Sequence, residues 1–156
     1  MKRKFGYNNT SNKFGAHKVR FKDMEFDSRY EMQRYLILRD LQKKGHIDWI
    51  WRQKRFKIIK KVVKLVPVQL KTKVRYDQRV VEQEAWYTCD FMYEANGIIY
   101  VEEVKSVMTA ELPDYVLRRK LMVNKIYDHN EKPNRKKWMF REVVYDKDGK
   151  VTITEK

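Results

Sequence analysis

The dipeptide Asn96-Gly97 constrains this chain more than any other feature. It sits between one strand-like stretch ending at Tyr93 and another from Ile98 to Val104. Asn-Gly between apolar runs is the strongest short-range hairpin signal, because both loop positions need positive φ. The turn also sets a register. In a tight antiparallel hairpin with these two residues as the loop, paired residues have numbers that sum to 193. Ala95 then faces Ile98, Tyr93 faces Tyr100, and Asp90 faces Glu103. Side chains alternate, so Lys105 shares the face of Glu103 with Thr88 opposite it, and Glu102 points to the other face.

Around this hairpin the chain reads as an α/β (α+β) design. Residues 1–22 are rich in Asn, Gly, Ser and Lys and read as a flexible basic arm, leaving 23–156 as a single domain. A helix is expected over about Ser28–Lys44, with Tyr30, Ile37, Leu38 and Leu41 on one stripe and Gly45 as the stop. Trp49 to Val66 is aromatic and β-branched, and Pro67 interrupts it. Residues 68–78 form either a basic loop or an extended hairpin. Val80 to Tyr93 resumes as one strand. Glu111 to His129 is helical, opened by Pro113. Trp138–Tyr145 and Val151–Thr154 flank a second hairpin turn at Asp146-Lys147-Asp148-Gly149. The expected order is arm, α, β, β, β, α, β, β.

Charge narrows the partners. The 156 residues hold 36 Lys+Arg against 21 Asp+Glu, a formal net charge of +15. Residues 1–22, 52–79 and 118–141 hold 27 of the basic residues, so the rest of the chain is acidic. A basic surface around an acidic centre suits a polyanion, since each phosphate contact releases counterions. The competing explanation is a set of solvated faces kept for solubility, which does not require one sign. No apolar run is long enough for a membrane span, and no apolar leader segment is seen. The single cysteine, Cys89, excludes an internal disulfide, so a reducing, intracellular setting is expected.

The hairpin places chemistry at the acidic centre. Directly opposed residues hold their Cβ atoms roughly 5 Å apart, and opposed like charges destabilise a hairpin. A divalent cation between Asp90 and Glu103 offsets that repulsion. Those two would then hold Mg²⁺, while Lys105 orients water or stabilises charge developing on phosphate. The bland alternative is a pair of solvated carboxylates, with a bulge able to slip the register. Met92, Ile99 and Val101 on the same face argue for burial. Glu31, one turn into the first helix, has two readings. Ser28-Arg29-Tyr30-Glu31 matches a capping box, yet Glu31 also borders the apolar stripe and can look inward.

Asp90, then Glu103-Val104-Lys105 on the next strand, preceded by a helical glutamate, resembles the PD-(D/E)XK nuclease superfamily. Phe26-Asp27-Ser28-Arg29-Tyr30-Glu31 with Gly45-His46-Ile47 and Gln53, and Tyr87-Thr88-Cys89-Asp90-Phe91 running into Tyr100–Lys105, resemble a phage-encoded family of small nuclease-like proteins. The same order of Glu, Asp and Glu-x-Lys is similar to archaeal-type Holliday junction resolvases. The resemblance covers about residues 13–128. It implies a restriction-endonuclease-like core, a central mixed sheet flanked by helices. It also implies Glu31, Asp90 and Glu103 as metal ligands for Mg²⁺ (or Mn²⁺), Lys105 as the catalytic lysine, and Gln53 as an auxiliary residue. Cys89 stands where a proline is usual, and the basic insertion at 60–79 has no counterpart.

The expected function is a metal-dependent, structure-selective DNA endonuclease, a Holliday junction resolvase acting as a homodimer, since two matched cuts call for two-fold symmetry. A nickase or linear-duplex endonuclease, and a non-catalytic nucleic-acid-binding protein, are the alternatives. Candidate DNA contacts are Lys13, His17, Lys18, Arg52, Lys54, Arg55, Arg118 and Lys120. Scattered His17, His46 and His129 suggest surface or loop roles, and Cys89 a buried small hydrophobe facing away from Asp90. Trp49 and Trp51 share a strand face suited to packing or a dimer interface, and Trp86 and Trp138 are core candidates.

Overall fold

Asn96 and Gly97 both adopt left-handed backbone, φ 52° and 75°, the type I′ geometry that follows the twist of paired strands. The computed structural model describes residues 18–156. A short hairpin, β1 (Val19–Phe21) with β2 (Met24–Phe26), precedes helix α1 (Arg29–Lys43). Strands β3 (Trp49–Arg52), β4 (Arg55–Ile59) and β5 (Val62–Gln69) follow. The chain returns through β6 (Val74–Glu82) and β7 (Ala85–Thr88), then forms the central hairpin β8 (Phe91–Ala95) and β9 (Ile98–Ser106). Helices α2 (Val107–Ala110) and α3 (Pro113–Asn130) lead to β10 (Trp138–Tyr145) and β11 (Val151–Glu155).

The fold is mixed α+β. Its centre is a five-stranded mixed sheet in the order β11-β10-β9-β8-β3, in which β9 and β10 are parallel and the other neighbours antiparallel. A parallel neighbour needs a crossover, and α2 and α3 supply it. The β8/β9 register matches the sequence expectation: Phe91 pairs with Glu102, Tyr93 with Tyr100 and Ala95 with Ile98. Asp90 stands one residue beyond the ladder, and its Oδ2 accepts the Val104 N–H at 2.7 Å.

Alternation splits the core into two layers. Phe91, Tyr93, Tyr100, Val104, Val143 and Tyr145 pack under α1 through Leu38. Met92, Val101 and Phe140 pack on the other face against Met122 and Ile126 of α3 and against Phe56 and Tyr87 of the β4/β7 pair. Full burial of each such side chain stabilises by roughly 1.5–3 kcal/mol. Helix α1 is set by its ends. Ser28 Oγ accepts the Glu31 N–H at 3.1 Å, and Gly45 (φ 79°) closes a Schellman motif through Gly45 N–H to Gln42 O and His46 N–H to Leu41 O.

Several expectations are corrected. The hairpin β1/β2 lies across the expected end of the arm at residue 22; residues 1–17 lie outside the described residues. Trp49–Val66 is not one extended stretch but three strands, because the backbone turns out of the sheet at Gln53 (φ 52°). Pro67 sits inside β5, paired with Tyr76; a two-stranded ribbon leaves alternate N–H groups unpaired, so proline costs no bond there. Residues 68–78 form a hairpin, and Val80–Tyr93 is divided among β6, β7 and β8. Thr88 pairs with Arg55 rather than facing Lys105, since β7 leaves the central sheet to join β4. Ile37 and Trp86 are exposed rather than in the core. Cys89 is fully buried, but with Met92 and Val101, on the sheet side that carries Asp90. Glu111 caps the end of α2, and α3 begins at Pro113.

Candidate functional site

The carboxyl ends of parallel strands are where open sheets leave room for ligands. Here the end of β9 opens into a cavity of about 870 Å³. Its walls include Glu31 and Tyr30 from the start of α1, Asp90, Lys105 from β9, and Tyr115 and Arg118 from the start of α3. The first turn of α3 has no side-chain cap; its first residue, Pro113, has no N–H, and the N–H groups that follow lie beside the Asp114 carboxylate.

Glu103 is buried beside this cavity. Its Oε2 accepts the Tyr87 hydroxyl at 2.7 Å, and its Oε1 accepts a short hydrogen bond from Lys105 Nζ. Lys105 is half-buried, and its ammonium lies 5.0 Å from the centre of the Tyr115 ring. Burial works against that charge, but Glu103 and Asp90 outweigh it and hold the Lys105 pKa above its ordinary value. The opposite holds for Asp90. Burial, reinforced by Glu103 and Glu31 and opposed by Lys105, pushes its carboxyl well above the usual range.

Glu31 serves the helix end and the cavity with different atoms. Its Oε2 accepts the Asp27 N–H at 2.8 Å, while Oε1 is buried with no hydrogen-bond partner among the described residues; Arg52 Nη2 is 3.5 Å away. Burial raises the Glu31 pKa against the pull of Asp27 N–H and Arg52.

The sequence-derived site is thus partly assembled. Asp90, Glu103 and Lys105 are together, and Glu31 lines the same cavity. Gln53 donates its backbone N–H to Asp90 O at 3.0 Å, which ties it to the site, but its side chain is exposed outside the cavity wall. Among the described residues, no three or more His, Cys, Asp or Glu side chains are grouped to hold a metal ion as they stand. Each carboxylate is turned to another partner: Asp27 N–H, Val104 N–H, or Tyr87 and Lys105. The donor chemistry nevertheless suits a hard divalent cation. The set is all carboxylate oxygen, one of its buried atoms is orphaned, and Asp90 is crowded by like charge.

The expected DNA contacts divide. Lys13 and His17 lie outside the described residues. Lys18 and Arg118 border the cavity, paired with Glu25 and Asp114. Arg52 is not a free surface cation: it donates to Glu25 O at 2.7 Å and lies 4.0 Å over the Phe26 ring. Lys54 and Arg55 are exposed and stand over Trp51 and Trp86, while Lys120 is exposed away from the cavity. Trp49 and Trp51 do share a face, with rings 4.8 Å apart and Trp51 exposed. Trp138 is half-buried and stacks on His129; His46 is exposed.

Four site residues were given no role from the sequence: Tyr87, although it lies in the stretch that carries the resemblance, Tyr115, Arg119 and Glu142. Tyr115 and Arg119 both donate to Glu142 Oε1, at 2.7 and 2.8 Å. The Tyr115/Arg119 spacing of four residues on a helix was a local signal. Glu142 had none, and Tyr87 had only its place beside Asp90 in that stretch; both reach the site across pairings that the local sequence does not specify.

No helix among the described residues is long and apolar enough to cross a membrane. No curated protein and no solved structure matches the chain. One family model does match, over residues 11–147, which takes in β1 through β10 and every site residue above; the chain belongs to the family described as "Protein of unknown function (DUF1064)".

Proposed function

We propose that this protein is a metal-dependent, structure-selective DNA endonuclease that hydrolyses phosphodiester bonds, with a core of the restriction-endonuclease type. Four-way junction DNA is the favoured substrate and an intracellular homodimer the working form. The observation that carries this reading is the convergence of Asp90, Glu103 and Lys105 at the end of β9, beside a cavity shared with Glu31.

Mg²⁺ (or Mn²⁺), held by Glu31, Asp90 and Glu103, would polarise a phosphoryl oxygen and make water a better nucleophile. The chain's own groups do the rest. The Lys105 ammonium, kept charged by its two carboxylate neighbours, stabilises negative charge building on the scissile phosphate. Arg118 favours an anion at the cavity wall. Tyr87 fixes one oxygen of Glu103 and so orients the other.

The test is digestion of a synthetic four-way junction, a flap and a linear duplex with Mg²⁺, with Mn²⁺ and with chelator. Wild-type protein is expected to cut the junction in Mg²⁺ and not in chelator, and Glu103→Ala to bind the junction without cutting it. A preference for linear duplex would identify a nickase or duplex endonuclease. The second reading, a non-catalytic nucleic-acid-binding protein, is favoured by the present partners of the three carboxylates. Equal binding with no cleavage by either protein would establish it.

A further inference from the structure

The strands β5 and β6 form a two-stranded ribbon that packs on itself and on no other element to a substantial extent among the described residues. Eight register pairs run its length, from Val62 with Glu82 to Gln69 with Val74. An isolated two-stranded ribbon is marginal in water, yet this one exposes large apolar groups; Leu65 and Tyr76 are each 64% accessible. Pairing puts Val63, Leu65, Pro67, Val74, Tyr76 and Val80 on one face, broken only by Gln69 and Gln78. The other face carries Lys64 opposite Arg79, Val66 opposite Asp77 and Val68 opposite Arg75, with Arg75 and Asp77 ion-paired at 2.7 Å. Lys71 and Lys73 form the tip and Lys60 and Lys61 the base, so residues 60–79 hold seven cations against Asp77 alone.

We infer that this ribbon is a groove-inserting arm for duplex DNA. The inference rests on the reading that the protein acts on DNA, and it names the element that engages the duplex. Strands 4.7–4.9 Å apart make a backbone ribbon less than half the roughly 12 Å width of the B-DNA major groove, which admits such a ribbon with its side chains. Eight residues at about 3.4 Å extend roughly 27 Å, close to eight base pairs. The apolar face meets base edges and thymine methyls, and the long Lys and Arg chains reach the flanking phosphates. The deep, narrow major groove of A-form RNA excludes this fit. A second copy stacked on the same apolar face would bring two strongly cationic ribbons together, which charge repulsion opposes. The ribbon is rooted in the β4/β7 pair, where Arg55 and Lys57 lie 4.9 and 5.1 Å over the exposed Trp86 ring. From β7 the chain runs through Cys89 into Asp90, so a duplex held by the ribbon is led toward the cavity.

The experiment measures binding of full-length protein to a linear 24-base-pair duplex in chelator, by fluorescence anisotropy over a range of salt. Lys71→Ala/Lys73→Ala is expected to bind roughly 60-fold more weakly near 0.1 M salt, with the slope of log K against log salt reduced by about 1.8. Lys71→Arg/Lys73→Arg restores both. Leu65→Ser/Tyr76→Ser is expected to weaken binding with the slope unchanged. Unchanged affinity and slope in the tip variant overturns the assignment. So does Leu65→Ser/Tyr76→Ser changing the sedimentation of the free protein from dimer to monomer while DNA affinity holds, which gives that face to a second copy. Cleavage of the junction in Mg²⁺ reports separately: its absence in wild type with the binding pattern intact sinks the nuclease reading and leaves the arm.

Discussion

Glu103 and Glu142 stand side by side on the parallel strands β9 and β10, both buried, and they are held by different donors. Glu103 takes Tyr87 and Lys105, while Glu142 takes Tyr115, Arg119 and Lys156. Three cations thus flank two adjacent carboxylates. Tyr115 links the halves, bonded to Glu142 through its hydroxyl and lying under the Lys105 ammonium with its ring. Glu142 positions the residue on which Lys105 rests.

Glu142→Gln therefore lowers stability in a pH-dependent way. Burial raises the Glu142 pKa, but the Lys156, Tyr115 and Arg119 hydrogen bonds more than reverse this, so its folded value lies below the ordinary 4.5. A depressed pKa lends stability that is fully present above 4.5 and is lost as pH falls through the folded value. The variant is expected to be about 1–2 kcal/mol less stable at pH 7, with the difference vanishing in acid. Urea unfolding across pH checks both.

Asp90→Asn has the opposite sign. The folded Asp90 carboxyl titrates above its ordinary 3.8 because burial and Glu103 disfavour its charge. Its contribution is favourable below 3.8 and is lost as pH rises through the folded value. Asparagine keeps an acceptor for the Val104 N–H and removes the repulsion. In chelator the variant is expected to be roughly 0.5–2 kcal/mol more stable than wild type at neutral pH. Adding Mg²⁺ should raise the melting temperature of wild type and leave that of the variant unchanged, a readout independent of cleavage.

The hairpin at the heart of the site was legible because its determinant is local. Asn96 and Gly97 select the turn, and the turn fixes the register that sets Asp90 beside Glu103. The ends of α1 were legible for the same reason, through Ser28 and Gly45. What escaped the sequence depends on long-range pairing. Nothing near Thr88 says that β7 leaves the central sheet for β4, and nothing near Glu142 says that β10 lies parallel to β9 in the register that puts it next to Glu103. Arg52 looked like a phosphate contact because a cation's burial under Phe26 is invisible from composition.

Arg34→Leu tests the other face of the sheet. Arg34 donates to both oxygens of Glu102, at 2.6 and 2.8 Å, and Glu102 is fully buried with Tyr93 as its other donor. Removing one partner of a buried pair leaves an uncompensated charge, at a cost of about 3–5 kcal/mol. Arg34→Leu/Glu102→Leu is expected to recover much of that loss. Chemical denaturation of the single and double variants measures the difference.

Lys105→Met separates chemistry from binding. The ammonium is charged throughout the neutral range, since Glu103 and Asp90 hold its pKa above 10.5 against the effect of burial. In the proposed reaction it would therefore act by charge rather than as a base. Without it, junction cleavage in Mg²⁺ is expected to fall roughly 10²–10³-fold, the usual consequence of losing one group aimed at developing negative charge. Junction affinity should stay within a few-fold, because the proposed phosphate contacts lie on the ribbon and the cavity rim. Lys105→Arg retains the charge and should regain part of the rate. Single-turnover cleavage and anisotropy on the same junction decide the matter: equal losses in affinity and rate would make Lys105 a binding residue.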